Sequence, residues 1–192
     1  MWAHLAPAIR VTIVFTVLTG GIYPAAVTGV SAVLFPRQAH GSLLTRDGKV
    51  IGSDLIAQNF TRPEYFHPRP SAANFDASAS TGANWGPTNQ KLIDRVKASI
   101  VQYRQENPDY TGPVPADAVT ASASGLDPEI SPANAEIQLV RVARARGIQP
   151  DQVRVVVGEV TEGRWLAFIG EPRVNVLKLN LTLDERFGRM KH

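Results

Sequence analysis

The chain has 192 residues, a formal net charge of +3 and no cysteine. Missing thiols exclude disulfides, thiolate catalysis, zinc–thiolate sites and iron–sulfur clusters. Lys and Arg are scattered among acids, which argues against the concentrated basic stripe of a nucleic-acid surface. Fourteen prolines and fifteen glycines predict long irregular segments rather than a regular doubly wound sheet.

Residues 1–10 read as a short N-terminal segment ending at Arg10. Residues 11–35 carry no charge. At about 1.5 Å per helical residue they are long enough to cross a hydrocarbon core of about 30 Å, so they are read as a transmembrane helix. A cleaved signal peptide is the competing reading, with Arg10 as its basic flank and Val30-Ser31-Ala32 as a small-residue cleavage site. The apolar run continues past that site to Phe35, which favours the anchor. Within the run, Gly21, Ala25, Gly29 and Ala32 are spaced four, four and three apart. They fall on one face, a candidate subunit interface where another membrane helix can approach closely. Pro24 is expected to kink the helix. The flanking charges, Arg10 on one side against Arg37, Arg46 and Lys49 on the other, do not settle orientation.

Residues 36–192 read as one soluble α+β domain, long enough to bury a core. Asp47-Gly48 between two short apolar stretches predicts a β-hairpin, because both residues tolerate positive φ. Ser53 is placed to cap a short turn through Leu55, Ile56 and Gln58. The stretch 62–87 contains Pro63, Pro68, Pro70 and Pro87, so a long helix is excluded. Its Tyr65, Phe66, Phe75 and Trp85 predict an ordered loop pinned by its rings. A helix is expected over 88–105, capped by Thr88, with Leu92, Ile93, Val96, Ile100 and Tyr103 as its apolar stripe. Asn107-Pro108 ends it. Ser131 followed by Pro132 starts the next helix, with Gly147 as its stop. Gln149-Pro150-Asp151 opens another through Val157. In 177–183, leucines alternate with Lys178, Asn180 and Thr182, which predicts a strand with one wet face.

The chemistry looked for is largely missing. None of His4, His40, His67 and His192 forms a metal-ligand pair at helical spacing, and His67 reads as a packing or surface residue. Ser122, Ser124 and Asp127 lack a G-x-S-x-G elbow and read as turn and cap residues. There is no phosphate-binding G-x-x-x-x-G-K-[ST] loop. On residues alone, the chain is a membrane-anchored accessory domain without catalytic residues or a metal site.

Several stretches taken together resemble one family, the C subunit of the Kdp-type potassium-transporting P-type ATPase. They are IGSDLIAQNF from Ile51, YFHPRPSA from Tyr65, GANWGPTNQKL from Gly82, SGLDPEISPANAEIQLVRVARARG from Ser124 and GEPRVNVLKLNLTLD from Gly170. Trp85 departs from the family, which usually carries Leu there. The resemblance implies a single-pass, non-catalytic accessory subunit in a bacterial inner membrane, with its soluble domain extracytoplasmic. Its partners would be a channel-like potassium-binding subunit, a P-type ATPase subunit and membrane lipid. The phosphorylated DKTG motif and TVGYG-type filter of those partners are both missing here. The resemblance further implies a catalytic-chaperone role that raises ATP affinity. The chain would have no cofactor of its own, ATP being shared with the ATPase subunit, and Gln138 would correspond to the glutamine proposed to touch nucleotide. Two alternatives stand beside this. Gln138 hydrogen-bonds within its own domain, since an extracytoplasmic residue cannot reach ATP across a bilayer. The domain is then a lid or stabiliser over the potassium entrance, with 74–89 as the contact loop.

Overall fold

The chain begins as helix almost at once. In the computed structural model, which describes residues 2–190, α1 spans Trp2–Val17 and α2 spans Tyr23–Leu34. A single π-helical turn, Leu18–Ile22, joins them. The apolar helix is therefore longer than the uncharged run: Ala3–Leu34 is 32 residues, with its side chains unburied. It reaches about 48 Å, against about 30 Å of hydrocarbon, so it is long enough to span a bilayer with turns to spare. Pro24 lacks a donor, and its ring would strike the carbonyl four residues back in a regular helix. The chain meets this by widening the preceding turn, where the Tyr23 N–H donates to the Leu18 carbonyl, a recognised device for absorbing a helix irregularity.

A short helix α3 (Pro36–Ala39) follows, then the expected hairpin of β1 (Leu43–Arg46) and β2 (Lys49–Ser53). Its turn residues Asp47 and Gly48 have φ of 51° and 74°. The structure divides into two compact units between Ile51 and Gly52.

The second unit is built around a three-stranded antiparallel sheet in the order β3-β5-β4, from Glu129–Ile130, Arg173–Asn175 and Thr161–Glu162. Ile130 and Thr161 both register with Val174. Helices α6 (Pro132–Arg146), α7 (Pro150–Val160) and α8 (Val176–Phe187) pack with it. The core comprises Phe66, Ile130, Leu139, Val142, Val153, Val156, Val174, Leu179 and Leu183, among others. The signals at the ends of α6 hold: the Ser131 hydroxyl accepts from the Asn134 N–H, and Gly147 closes the helix at φ 67°.

Two expectations fail. Residues 177–183 are helix, not strand. Asn175 caps α8 by accepting from the Lys178 N–H at 3.0 Å. The buried positions Val176, Leu179, Asn180 and Leu183 repeat at three and four, the helical period. A polar residue on the buried face hid that period and left a false alternation of leucines. The second failure is the start of α4, which runs Gln90–Glu106 with Asn89 rather than Thr88 as its cap; the Asn89 side chain accepts from the Lys91 N–H at 2.9 Å. Its Leu92, Val96, Ile100 and Tyr103 are half-buried while Ile93 stays exposed.

Candidate functional site: a loop clasped by two carboxamides

The irregular segment 62–73, which turns at Arg62–Tyr65, runs between the helices of the second unit, with Tyr65 and Phe66 buried. Backbone outside helix and sheet carries donors and acceptors that need partners once water is gone. No strand is there to supply them. Two side-chain amides do so instead. Asn180 of α8 accepts from the Phe66 N–H at 2.8 Å and donates to the Phe66 carbonyl at 3.0 Å. Gln138 of α6 does the same for His67, accepting from its N–H at 2.8 Å and donating to its carbonyl at 3.1 Å. A carboxamide has a donor and an acceptor side by side, so each imitates one residue of a neighbouring strand.

Asn134, Gln138 and Arg141 lie at i, i+4 and i+7 on α6, which places them on one face. The remaining hydrogen-bonding capacity of Gln138 is taken up along that face: its amide donates to Asn134 Oδ1 at 2.9 Å, and Arg141 donates to its oxygen at 2.7 Å. Arg141 also donates to the carbonyls of Pro63 and Tyr65 at 2.8 and 3.0 Å. Asp117, from the short helix α5 (Ala116–Val119), accepts from the Ser131 N–H, the Ser131 hydroxyl and the Asn134 amide. Tyr103 of α4 donates to Asn134. Burial pushes the Tyr103 phenol well above its ordinary range and pulls the Arg141 guanidinium below its own.

His67 stands half-buried between Glu106 (3.3 Å) and Arg141 (3.2 Å). The hydrogen bond from His67 holds the Glu106 carboxyl below the ordinary carboxylate range, against partial burial. Further along, Arg69 pairs with Asp127 at 2.7 Å and the Ser71 hydroxyl donates to the Gly125 carbonyl at 2.6 Å. At the other end, buried Arg146 pairs with Asp184 at 2.9 Å, donates to the Glu64 carbonyl and lies over the Tyr65 ring. A cavity of about 360 Å³ lies beside the clasp, lined by His67, Arg69, Phe75, Gln102, Tyr103 and Glu106.

Gln138 therefore sits in the clasp, 1% exposed. The small residues Gly21, Ala25, Gly29 and Ala32 of the apolar helix are all exposed, Gly21 in the π turn and the others in α2. An open groove runs along Thr16, Gly20, Gly21 and Ala25. Ser122, Ser124 and Asp127 accept from the N–H groups of Gly125, Leu126 and Glu129, as turn residues do. Among the described residues there is no group of three His, Asp or Glu that would hold a metal ion. Sequence reasoning put Asn180 on the wet face of a strand and gave Arg141 and Asn134 no role. The one available signal was their three- and four-residue spacing to buried neighbours.

The family described as KdpC: K+-transporting ATPase, c chain, matches residues 5–185. A potassium-transporting ATPase KdpC subunit of Caulobacter sp. (strain K31) is 57% identical over 190 residues, covering 97% of this chain and 96% of the relative. Proteins of the same name from Myxococcus xanthus and Rhodospirillum rubrum are 54% and 55% identical, over 98% and 97% of this chain and 90% and 98% of their own lengths.

Proposed function

Since the chain belongs to the KdpC family, the c chain of K+-transporting ATPases, we propose that it is the single-pass, non-catalytic accessory subunit of an ATP-driven potassium importer in the bacterial inner membrane. It works beside a channel-like subunit and a P-type ATPase subunit. Its domain stands outside the cytoplasm as a lid or stabiliser over the potassium entrance, without touching nucleotide. The observation that supports this reading is the occupancy of Gln138: both sides of its amide are used within the chain, on His67, Asn134 and Arg141. Such a residue orders the loop that the domain is wrapped around. A nucleotide would have to displace four internal hydrogen bonds to reach it.

Topology tests the reading most directly. A cysteine replacing exposed Ser80 is expected to react with an impermeant maleimide applied to intact cells. Labelling only after the inner membrane is opened would overturn the lid and leave the ATP-affinity role standing. The two readings also part at Gln138→Ala in the assembled complex. Loss of domain stability at unchanged ATP KM fits an ordering residue, whereas a raised ATP KM at unchanged stability fits a nucleotide contact.

The anchor is the proposed contact with the partner subunits. An added Cβ at Gly21 or Gly29 meets nothing within 4 Å beyond its chain neighbours and the backbone of its own helix. Gly21→Leu or Gly29→Leu is therefore expected to release the subunit from the complex through the partner's side alone. Co-purification of both variants at normal yield would defeat this contact.

A further inference from the structure

Between β4 and β5 the chain makes a small hairpin, with Trp165 and Ile169 exchanging N–H to carbonyl bonds at 2.9 Å in both directions. Its tip carries four large apolar side chains that face solvent: Trp165 is 67% exposed, Leu166 60%, Phe168 73% and Ile169 44%. Isolated apolar residues on a surface are ordinary, but four neighbours on one projecting loop are not. The backbone adds a second observation. Leu166 and Ala167 have φ of 49° and 68°, a region that costs an L side chain about 1 kcal/mol and that Gly or Asn would occupy more easily. A leucine is kept there at a conformational cost while contributing nothing to the chain's own core.

Resting on the reading above that the chain is a subunit of a membrane assembly, we infer that the 164–171 hairpin is a docking plug that seats its four apolar side chains in an apolar depression on another subunit of that assembly. The charges around the tip separate this partner from a lipid surface. Arg164 pairs with Glu171 at 2.8 Å across the base of the hairpin. Arg173 pairs with Glu129 and Glu162, and Lys178 lies 3.5 Å from Glu162. Each of these cations is matched, and the Glu171 side chain is 79% exposed. Anionic bilayers select an excess of Lys and Arg at the rim of an inserting loop. A neutralised rim around a rigid aromatic tip is instead the anatomy of a protein hot spot.

Area separates a tethered partner from a free one. The tip offers on the order of 500 Å², against about 800 Å² per side for a standard stable interface. That is too little to hold two molecules meeting in solution. It suffices between chains already confined to one membrane, where anchoring raises the effective concentration. A symmetric contact with a second copy through the tip would set one convex loop against another, which buries little.

The test uses the full-length chain co-expressed with the other subunits. Benzoylphenylalanine in place of Phe168 is expected, on illumination, to give an adduct with another subunit of the complex. In parallel, Trp165→Ser/Phe168→Ser is expected to lower retention in the purified complex about tenfold at unchanged folding, as loss of a hot spot does. Adducts with lipid alone, with a second copy of this chain alone, or none, with retention unchanged, would overturn the plug. If the unmodified chain itself fails to co-purify with the other subunits, the subunit reading falls and the plug with it. If it co-purifies and the hairpin variants behave as wild type, only the plug falls.

Discussion

Two irregular segments of the same domain carry paired aromatic residues and use them in opposite directions. In 62–73, Tyr65 and Phe66 are buried and the backbone beside them is matched group by group by side chains from α6 and α8. In 164–171, Trp165 and Phe168 stand in solvent on a hairpin closed by its own backbone hydrogen bonds and the Arg164–Glu171 ion pair. Aromatic content tells that a loop is ordered. Whether the rings hold the chain together or reach out of it depends on polar partners elsewhere: the first loop has two carboxamides, two arginines, a glutamate and an aspartate around it, and the second has an ion pair at its base.

The largest effect that would break this contrast lies at Phe66. Its ring is fully buried in the core cluster, so Phe66→Ala is expected to lose about 3–5 kcal/mol through transfer and cavity terms together. Chemical denaturation of the full chain in detergent measures it. A loss below about 1 kcal/mol would mean that the loop lies on the core without being part of it. Next comes Gln138→Ala. It strips the partners from the His67 N–H and carbonyl and removes an acceptor of Arg141, with an expected loss of about 2–4 kcal/mol. Amide hydrogen exchange at His67 should accelerate in the same variant, a local readout that general destabilisation would not single out.

Much of the fold was legible where its cause is local. Asp47-Gly48 gave the hairpin through positive φ, Ser131-Pro132 gave the start of α6 and Gly147 its end, because each signal acts within a few residues. The clasp was not legible, since its bonds join residues 71 and 114 positions apart. The same long-range bond explains the misread tail. Asn180 is polar because Phe66 needs it, and a polar residue on the buried face of α8 broke the pattern from which a helix would have been read. Gln138 stood out through family resemblance; its internal partners became apparent only with the fold. The WLAF run at 165–168 disclosed its apolar character but not its exposure, which depends on no other element covering it.

A smaller effect sharpens the electrostatic side of the clasp. The Glu106 carboxyl is held below its ordinary value of 4.5 by the hydrogen bond from His67. A depressed carboxylate contributes stability above its unfolded pKa and loses it as pH falls through the folded value. Glu106→Gln should therefore cost stability at neutral pH, and the gap to wild type should close as pH falls below 4.5 and through the lower folded value. Its size stays under about 1 kcal/mol, because the pair is partly exposed and screened by solvent. A gap that persists unchanged at low pH would assign the effect to packing rather than to charge.

The smallest effect carries the other half of the contrast. Trp165 and Phe168 meet water in the folded chain almost as they do in the unfolded one, so removing them forfeits little burial on folding. Trp165→Ser/Phe168→Ser in the isolated full-length chain is expected to change unfolding free energy by no more than about 0.5 kcal/mol, the range of substitutions outside core, cap and network positions. Circular dichroism is the appropriate probe, since a fluorescence signal would lose one of its own reporters. A loss above about 1 kcal/mol would show that the rings pack within the chain after all, and the hairpin would then be a second version of 62–73. A stability unchanged while retention in the complex collapses would place the entire use of these side chains outside the molecule that carries them.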